Sequence, residues 1–317
     1  GATYGQVAKL TAAAGGGFGH SVAIDGNTVV IGAYGDDDAG TASGSAYVFR
    51  TSDGGASYVE VAKLTAADGA AYDYFGTSVA IDGSTVVIGA HQTYKSGGTG
   101  SAYVFRTSDG GATYVEVAKL MASDGAEYDE FGGSVAIDGS TVVVGAYKDD
   151  DAGSNSGSAY VFRTTDGGAT YVQVAKLTAS DAAKYDWFGY SVAIAGDTVV
   201  VGAYFDTSGR GSVYVFRTTD GGATYAQVAK LTAADAAAYD YFGYSVAIAG
   251  DTVVVGAYGD DDAGSASGSV YVFRTTNSGA TYGQVAKLTA SDAYSLDYFG
   301  RSVAIDGNTV VVGANGD

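Results

Sequence analysis

The chain has 317 residues, 50 glycines, no cysteine, no proline and a formal net charge of −19. Disulfide scaffolds and thiolate metal sites are excluded, with the redox compartment left open, and so acidic a chain is not expected to bind nucleic acid or an anionic membrane surface. No run approaches the roughly 18–20 apolar residues needed to cross a bilayer as a helix.

The chain opens with a strand-like run over residues 1–10 and a small-residue loop over 11–17. Ser21-Val22-Ala23-Ile24 then predicts a short strand, Asp25-Gly26-Asn27 a hairpin turn, and Thr28-Val29-Val30-Ile31 a second strand. Asp-Gly between apolar runs is among the stronger local hairpin signals. A polar loop over 34–43 leads to a third strand, Ala46-Tyr47-Val48-Phe49-Arg50, and residues 51–57 lead to a fourth over 58–64. The set then recurs: Phe-Gly pairs open near-copies at Phe18, Phe75, Phe131, Phe188, Phe242 and Phe299, spaced 54 to 57 residues apart. A period of about 50 residues marks a propeller or array, and four strands joined in sequence form the antiparallel meander of a propeller blade. A stacked β-solenoid is the rival, but its coils are shorter and lack hairpin turns at this spacing. The expectation is an all-β, six-bladed β-propeller of four-stranded antiparallel blades, one domain over residues 1–317.

Phe-Gly-x-Ser-Val-Ala followed by Val-Val-Gly-Ala, as in Phe242-Gly243-Tyr244-Ser245-Val246-Ala247 and Val254-Val255-Gly256-Ala257, resembles the FG-GAP repeat of the integrin α-subunit propeller and its bacterial and algal relatives. The resemblance covers essentially the whole chain and recurs six times. It departs from the family in two places: Ala-Tyr or Ala-Asn stands where Ala-Pro is common, and the Asp-x-Asp-x-Asp-Gly calcium loop between the first two strands is replaced by Asp-Gly-Asn, Asp-Gly-Ser or Ala-Gly-Asp. The family's calcium site is therefore not carried over. Thr107-Ser108-Asp109-Gly110-Gly111-Ala112-Thr113-Tyr114 is similar to the Asp-box of sialidase-type propellers, recurring at Thr51, Thr164 and Thr218 and more weakly at Thr275. The resemblance implies a structural hairpin away from any active site.

The termini predict a split blade. The chain starts with the tail of an Asp-box and a fourth strand, and ends at Asn315-Gly316-Asp317 just past a second strand. The expected total is 23 strands, with the third strand of the sixth blade missing. The only methionine is Met121, and no signal peptide is expected within the sequence as it stands. The sequence reads as a mature form, an excised segment or a chain without its natural start.

Most recurrent residues read as architecture. Eleven of the twelve phenylalanines fall at the Phe-Gly and Val-Phe-Arg positions and are expected in the core. The Val-Gly-Ala glycines are expected to allow close backbone approach between blades. Lys9, Lys63, Lys119, Lys176, Lys230 and Lys287 guard the fourth, outermost strand against edge pairing. Arg50, Arg106, Arg163, Arg217 and Arg274 are expected to pair with nearby carboxylates.

Binding residues are expected where the two-to-three and four-to-one loops gather, because these loops are the longest and most varied. Asp36, Asp38, Asp149, Asp151, Asp260 and Asp262 there are candidate ligands for Ca²⁺, a cation that takes 6–8 oxygens, but their spacing matches no established motif and a solvated acidic loop is the favoured reading. Tyr74, Trp187 and Tyr241 precede Phe-Gly beside aspartates and could stack on sugars; alternatively they pack between blades, with the Asp capping the turn. Tyr94 and Arg210 lie in loops that break the acidic pattern and are candidate specificity positions. His20 has no evident partner, and two histidines in different repeats do not make a triad. The composite expectation is a non-enzymatic propeller of the cell surface or extracellular space, serving adhesion or structural assembly through self-association or other surface proteins. A glycan-binding lectin is the alternative, and a glycosidase or lyase the third.

Overall fold

The computed structural model describes residues 5–12, 16–92 and 98–317. Twenty-two strands and a four-residue helical turn at Asp206–Gly209 are present among them. Repeat one contributes Phe18–Asp25, Thr28–Ala33, Ser45–Arg50 and Val59–Leu64. Repeat two contributes Ser78–Asp82, Thr85–Ala90, Ser101–Arg106 and Val115–Leu120. Repeat three contributes Ser134–Asp138, Thr141–Ala146, Ser158–Arg163 and Val172–Leu177. Repeat four has Phe188–Ala195, Thr198–Ala203, Ser212–Arg217 and Ala226–Leu231. Repeat five has Ser245–Ala249, Thr252–Ala257, Ser269–Arg274 and Gly283–Leu288. Repeat six has Ser302–Asp306 and Thr309–Gly313. The strands pair antiparallel in chain order, giving five four-stranded sheets and one two-stranded sheet. This is the strand plan of a six-bladed propeller.

The opening run is a correction. Among its described residues, 5–10 form no strand and are largely exposed. A strand needs a neighbour to satisfy its backbone groups, and no strand among the described residues pairs with this run. Among the described residues the strands number 22, against the 23 expected.

The described residues group into two compact units, one spanning Gly1–Ser140 with Thr164–Tyr171, the other Thr141–Arg163 with Val172–Asp317. Both are built the same way. The second strand of each inner repeat, such as Thr85–Ala90 or Thr252–Ala257, is buried at every position. A strand covered on both faces reads as a continuous apolar run rather than an alternation. In the first unit Val30 and Val48 of repeat one pack with Phe75, Val86, Ile88 and Phe105 of repeat two. In the second, Val200 and Val215 of repeat four pack with Phe242, Val253, Val255 and Phe273 of repeat five. The Phe-Gly phenylalanines of repeats one, two, four and five meet the third-strand Tyr and Phe of their own repeat; Phe242 lies 5.4 Å from Tyr271 and 5.8 Å from Phe273, both edge-on. A register shift recurs between third and fourth strands, at Val48/Phe49 and again at Val272/Phe273.

Successive repeats approach through backbone. A Cβ on Gly256 would stand 1.9 Å from the Gly300 carbonyl oxygen, which Ser245 Oγ already engages at 2.8 Å. Only glycine tolerates that approach, as expected of the Val-Gly-Ala position. The arginines are a second correction. Arg50, Arg106 and Arg163 donate through Nη1 to the carbonyls of Gly110, Gly167 and Gly221, and Arg217 to that of Ser278. Each acceptor is a backbone carbonyl in the Asp-box hairpin of the following repeat, where the turn leaves it unused, rather than a carboxylate. The boxes themselves are structural turns: Thr107 Oγ1 donates to Asp109 Oδ1 at 2.8 Å, and Asp109 Oδ1 accepts the Thr113 N–H at 2.9 Å.

Candidate functional site

The two-to-three and four-to-one loops lie at the same end of each sheet and are hydrogen-bonded to one another. In the first unit the N–H groups of Tyr72, Tyr74 and Phe75 donate to the carbonyls of Thr41, Ala42 and Ser43. In the second, Tyr185, Trp187 and Phe188 bond to Ser154, Asn155 and Ser156 in the same way. This lacing holds a tight turn in which an aspartate is flanked by left-handed residues: Tyr185 at φ 69° and Trp187 at φ 57° around Asp186, Tyr239 at 73° and Tyr241 at 57° around Asp240. A non-glycine residue in that region costs on the order of 1–3 kcal/mol and persists only where its surroundings over-determine it. The central aspartates Asp73, Asp129, Asp186 and Asp240 are buried. Each accepts the N–H three residues before it, Asp186 from Ala183 at 2.7 Å and Asp240 from Ala237 at 2.6 Å. The aspartate is thus a turn cap. Burial raises the Asp186 carboxyl from 3.8 to about 6 and raises Asp240 as well.

The flanking aromatics form a continuous row in the second unit. Trp187 stacks on Phe205 at 5.4 Å, Phe205 on Tyr241 at 6.2 Å and Tyr241 on Tyr258 at 5.1 Å. A second layer of Tyr190, Tyr204 and Tyr244 meets them edge-on, with Tyr190 Oη donating to Tyr244 Oη at 3.0 Å. The Arg301 guanidinium closes the row at 5.4 Å over both Tyr244 and Tyr258. The Trp187 Nε1–H is buried with no acceptor among the described residues. Two of the sequence candidates, Trp187 and Tyr241, therefore belong to one surface, joined through Phe205. Arg210 is exposed at the end of the Asp206–Gly209 turn, its carbonyl accepting the Phe242 N–H at 3.3 Å. In the first unit Tyr74 stacks on His91 at 5.4 Å and lies 5.9 Å from Tyr34. His20, whose partner was not evident in the sequence, meets Tyr34 edge-on at 4.7 Å. Tyr94 lies outside the described residues.

The acidic candidates meet lysine. Lys63 Nζ lies 3.3 Å from Asp36 and also binds Asp38. Lys176 lies 3.0 Å from Asp149 and also binds Asp151. Lys287 lies 2.7 Å from Asp235, 3.0 Å from Asp260 and 2.5 Å from Asp262. A third-strand tyrosine completes each cluster: Tyr47 Oη donates to Asp36 at 2.7 Å, Tyr160 to Asp149 at 2.7 Å and Tyr271 to Asp260 at 2.6 Å. The same lysine sits 5.1–5.2 Å from the centre of that tyrosine's ring. Fourth-strand lysines are therefore more than edge guards, since they turn inward and tie the loops down. Hydrogen bonds from Lys63 and Ser45 hold Asp38 below its ordinary carboxylate range.

Sequence reasoning missed several members of these clusters. Repeat four, whose loop breaks the Asp-Asp-Asp pattern, still supplies Asp206, at 2.7 Å from Lys230. Asp68, Asp181 and Asp235, in the four-to-one loops, pair with Lys119, Lys230 and Lys287 of the next repeat at 2.6–2.7 Å. A signal for them is present: an Asp recurs five residues after each lysine from Lys63 onward, at Asp68, Asp124, Asp181, Asp235 and Asp292.

The donor chemistry bears on calcium. The carboxylates of Asp235, Asp260 and Asp262 bring oxygens within 4.8 Å of one another, yet the Lys287 ammonium already lies against all three. Ca²⁺ requires 6–8 oxygens at about 2.3–2.6 Å and would face a fixed positive charge. The residues as arranged fit an ammonium group, and the chain provides its own.

Against known proteins, an FG-GAP repeat family model matches residues 4–49, 58–105, 114–162, 171–216, 225–273 and 282–317. No curated protein matches. Among solved structures, the crystal structure of Saccharomyces cerevisiae Sqt1 aligns at 11% identity with a TM-score of 0.49, over 93% of this chain and 79% of that one. Six matched repeats spread along nearly the whole sequence place this chain in the FG-GAP repeat family.

Proposed function

We propose that the chain is a non-catalytic propeller of the cell surface or extracellular space that serves adhesion or structural assembly. The observation that carries this reading is the pairing of its loop charges. In repeats one, three, four and five a buried loop carboxylate (Asp36, Asp149, Asp206 and Asp260) is tied to a fourth-strand lysine and a third-strand tyrosine. Paired, hydrogen-bonded carboxylates hold loops in shape and have little capacity left to act as general acid or base. What the chain then offers its surroundings is shaped surface repeated blade after blade. Membership of the FG-GAP family supports the same reading by analogy of fold. The test is retention of cells or extracellular matrix on the immobilised chain, run beside a panel of glycoside and polyuronate substrates. Retention without turnover supports the proposal; turnover that disappears in Asp186→Asn overturns it.

The aromatic row favours a second reading, glycan binding in the second unit. Trp187, Phe205, Tyr241 and Tyr258 form a partly exposed stacked row, and among the described residues the Trp187 Nε1–H lacks an acceptor. A glycan array should then report binding that is lost in Trp187→Ala and Tyr241→Ala. An array that stays blank removes this reading.

A further inference from the structure

We propose that the loops of repeats four and five bind an acidic glycan, one whose sugars carry carboxylate or sulfate groups, with Arg210 pairing with the anion and Tyr239 stacking on the sugar ring. The proposal rests on the glycan reading above and names its ligand class.

The cations of these loops are not those of the scaffold. Eleven of the 16 basic residues hold the repeated lysine and arginine positions; the other five, Lys95, Lys148, Lys184, Arg210 and Arg301, fall in or beside the two-to-three and four-to-one loops. Lys95 lies outside the described residues, and the other four belong to the second unit. Lys184, Arg210 and Arg301 form no ion pair among the described residues, although each shares its loop with aspartates. Those aspartates are already taken: Asp181 and Asp206 by Lys230, Asp186 by the Ala183 N–H, and Asp297 by the Tyr294 N–H at 2.6 Å. Charges beyond about 8 Å are largely screened at physiological ionic strength, so a ligand on these loops meets their own cations rather than the net charge of −19.

Repeat four is where the loops change. The Ala203–Ser212 pair that closes its second and third strands encloses residues 204–211, eight of them, whereas Ala146–Ser158 and Ala257–Ser269 enclose 147–157 and 258–268, eleven each. The shorter loop puts Phe205 where its neighbours have Lys148 and Gly259. It also carries Thr207 and Ser208 in the left-handed region at φ 52° and 62°, a conformation that a β-branched residue rarely adopts. This loop lies directly on the turn of repeat five. The Tyr241 N–H donates to the Gly209 carbonyl at 2.8 Å and the Phe242 N–H to the Arg210 carbonyl at 3.3 Å. A Cβ on Gly209 would stand 3.3 Å from the Tyr239 Cα, so Arg210, exposed and next in the chain, stands beside Tyr239. Tyr239 is 59% exposed and holds φ 73°, a backbone state that glycine takes without strain. Contact with a ligand explains why an exposed ring is kept there against its backbone preference.

The rings set the polarity of the ligand. Phe205 and Tyr241 each have a ring stacked on either side, so what they turn outward is edge, the positive part of the aromatic quadrupole. Cations stand at both ends of the row: Lys184 Nζ lies 4.5 Å over Tyr185, two residues before Trp187, and the Arg301 guanidinium lies 5.4 Å over Tyr258. Edges and cations together favour anionic oxygens, and the Arg210 guanidinium can engage two of them at once through parallel N–H donors. Tyr239, 6.2 Å from Tyr241 at the margin of the row, supplies the exposed ring for the apolar side of the sugar.

The test titrates the full chain in a calorimeter with an oligogalacturonate, a sulfated galactan oligosaccharide, and the carboxyl-reduced and desulfated neutral forms of each. Wild type should bind at least one acidic form, and its neutral counterpart about tenfold or more weakly, the loss of one charge-assisted hydrogen bond. Arg210→Gln should weaken the acidic ligand by the same factor and leave the neutral one unchanged, and Arg210→Lys should recover part of the loss. Tyr239→Gly, which the backbone accepts, should weaken acidic and neutral forms alike without lowering the melting temperature, and Tyr239→Phe should keep the affinity. The acidic form that binds tells carboxylate from sulfate. A neutral form bound as tightly as its acidic parent, or Arg210→Gln or Tyr239→Gly binding the acidic form like wild type, overturns the proposal and leaves glycan binding elsewhere on the row standing. No binding to any of the four sugars, together with a blank glycan array, removes both readings.

Discussion

Replacing Lys287 with methionine removes the ammonium from the most crowded of the acidic clusters while keeping the apolar stem. In the native chain Nζ stands 2.5–3.0 Å from three carboxylates, and Tyr271 Oη donates to Asp235 at 2.9 Å and to Asp260 at 2.6 Å. Burial alone would lower the Lys287 pKa, but the hydrogen bonds it donates to Asp235, Asp262 and Asp260 raise it above the ordinary lysine range. The side chain is therefore charged at every pH at which the fold is studied. Removing one partner of a fully buried ion pair costs about 3–5 kcal/mol, and an exposed pair is worth about 0–1 kcal/mol. Asp260 is buried, while the side chains of Asp235 and Asp262 are about half exposed. The expected loss at pH 7 is accordingly about 2–3 kcal/mol, read from the urea midpoint and slope. The pH dependence has a definite sign. The native Asp235 carboxyl lies below its ordinary range despite burial, because Lys287 and Tyr271 hydrogen-bond to it. That contribution is present above the unfolded pKa and lost as pH falls through the folded one. In the variant Asp235 loses the cation that holds its pKa down and takes up a proton more readily, so the deficit should shrink as pH falls from 7 toward 4. Lys9, on the equivalent position of the opening run, has no ion pair among the described residues, and Lys9→Met should be neutral within about 0.5 kcal/mol. A Lys287→Met loss no larger than that of Lys9→Met would refute the claim that the lysine holds the loops.

Two further outcomes test the packing and the turn. Gly256→Ala places a methyl 1.9 Å from the Gly300 carbonyl oxygen and should destabilise by about 3 kcal/mol or more; Gly283→Ala, where a Cβ meets nothing within 4 Å, should stay within about 1 kcal/mol of wild type in the same melts. Asp186 has a folded pKa raised to about 6 from 3.8. Between those values the folded chain binds more protons than the unfolded one, so this group makes stability fall as pH rises through the window. Asp186→Asn should flatten that slope in urea titrations at pH 4 to 7, and an unchanged slope would assign the titration elsewhere.

Much of the fold was legible because its signals are local and repeated. Asp25-Gly26 and its equivalents place a left-handed glycine between two apolar runs, and Gly83 and Gly139 adopt φ of 54° and 55° as such a hairpin requires. The second strands read as unbroken valine runs because both of their faces are covered. The aspartate of Tyr-Asp-Trp caps its turn, one of the two readings its position allows, since an acceptor beside a turn's free N–H groups needs only neighbouring backbone. The acidic triplets were harder. Asp36 and Asp38 sit in one loop, but the lysine that neutralises them arrives from a strand more than twenty residues later. Asp235 is paired by Lys287, 52 residues away.

The sequence by itself determined the period, the strand order, the hairpins and the core positions, because each depends on residues within one repeat and is restated six times. Tertiary structure decided where the charges go. The arginines met Asp-box carbonyls of the next repeat, the lysines met loop carboxylates, and the opening run packed Leu10 and Ala12 on repeat one without forming a strand. A charged side chain takes whichever partner the neighbouring repeat brings within reach, and that distance is set by how one blade lies on the next.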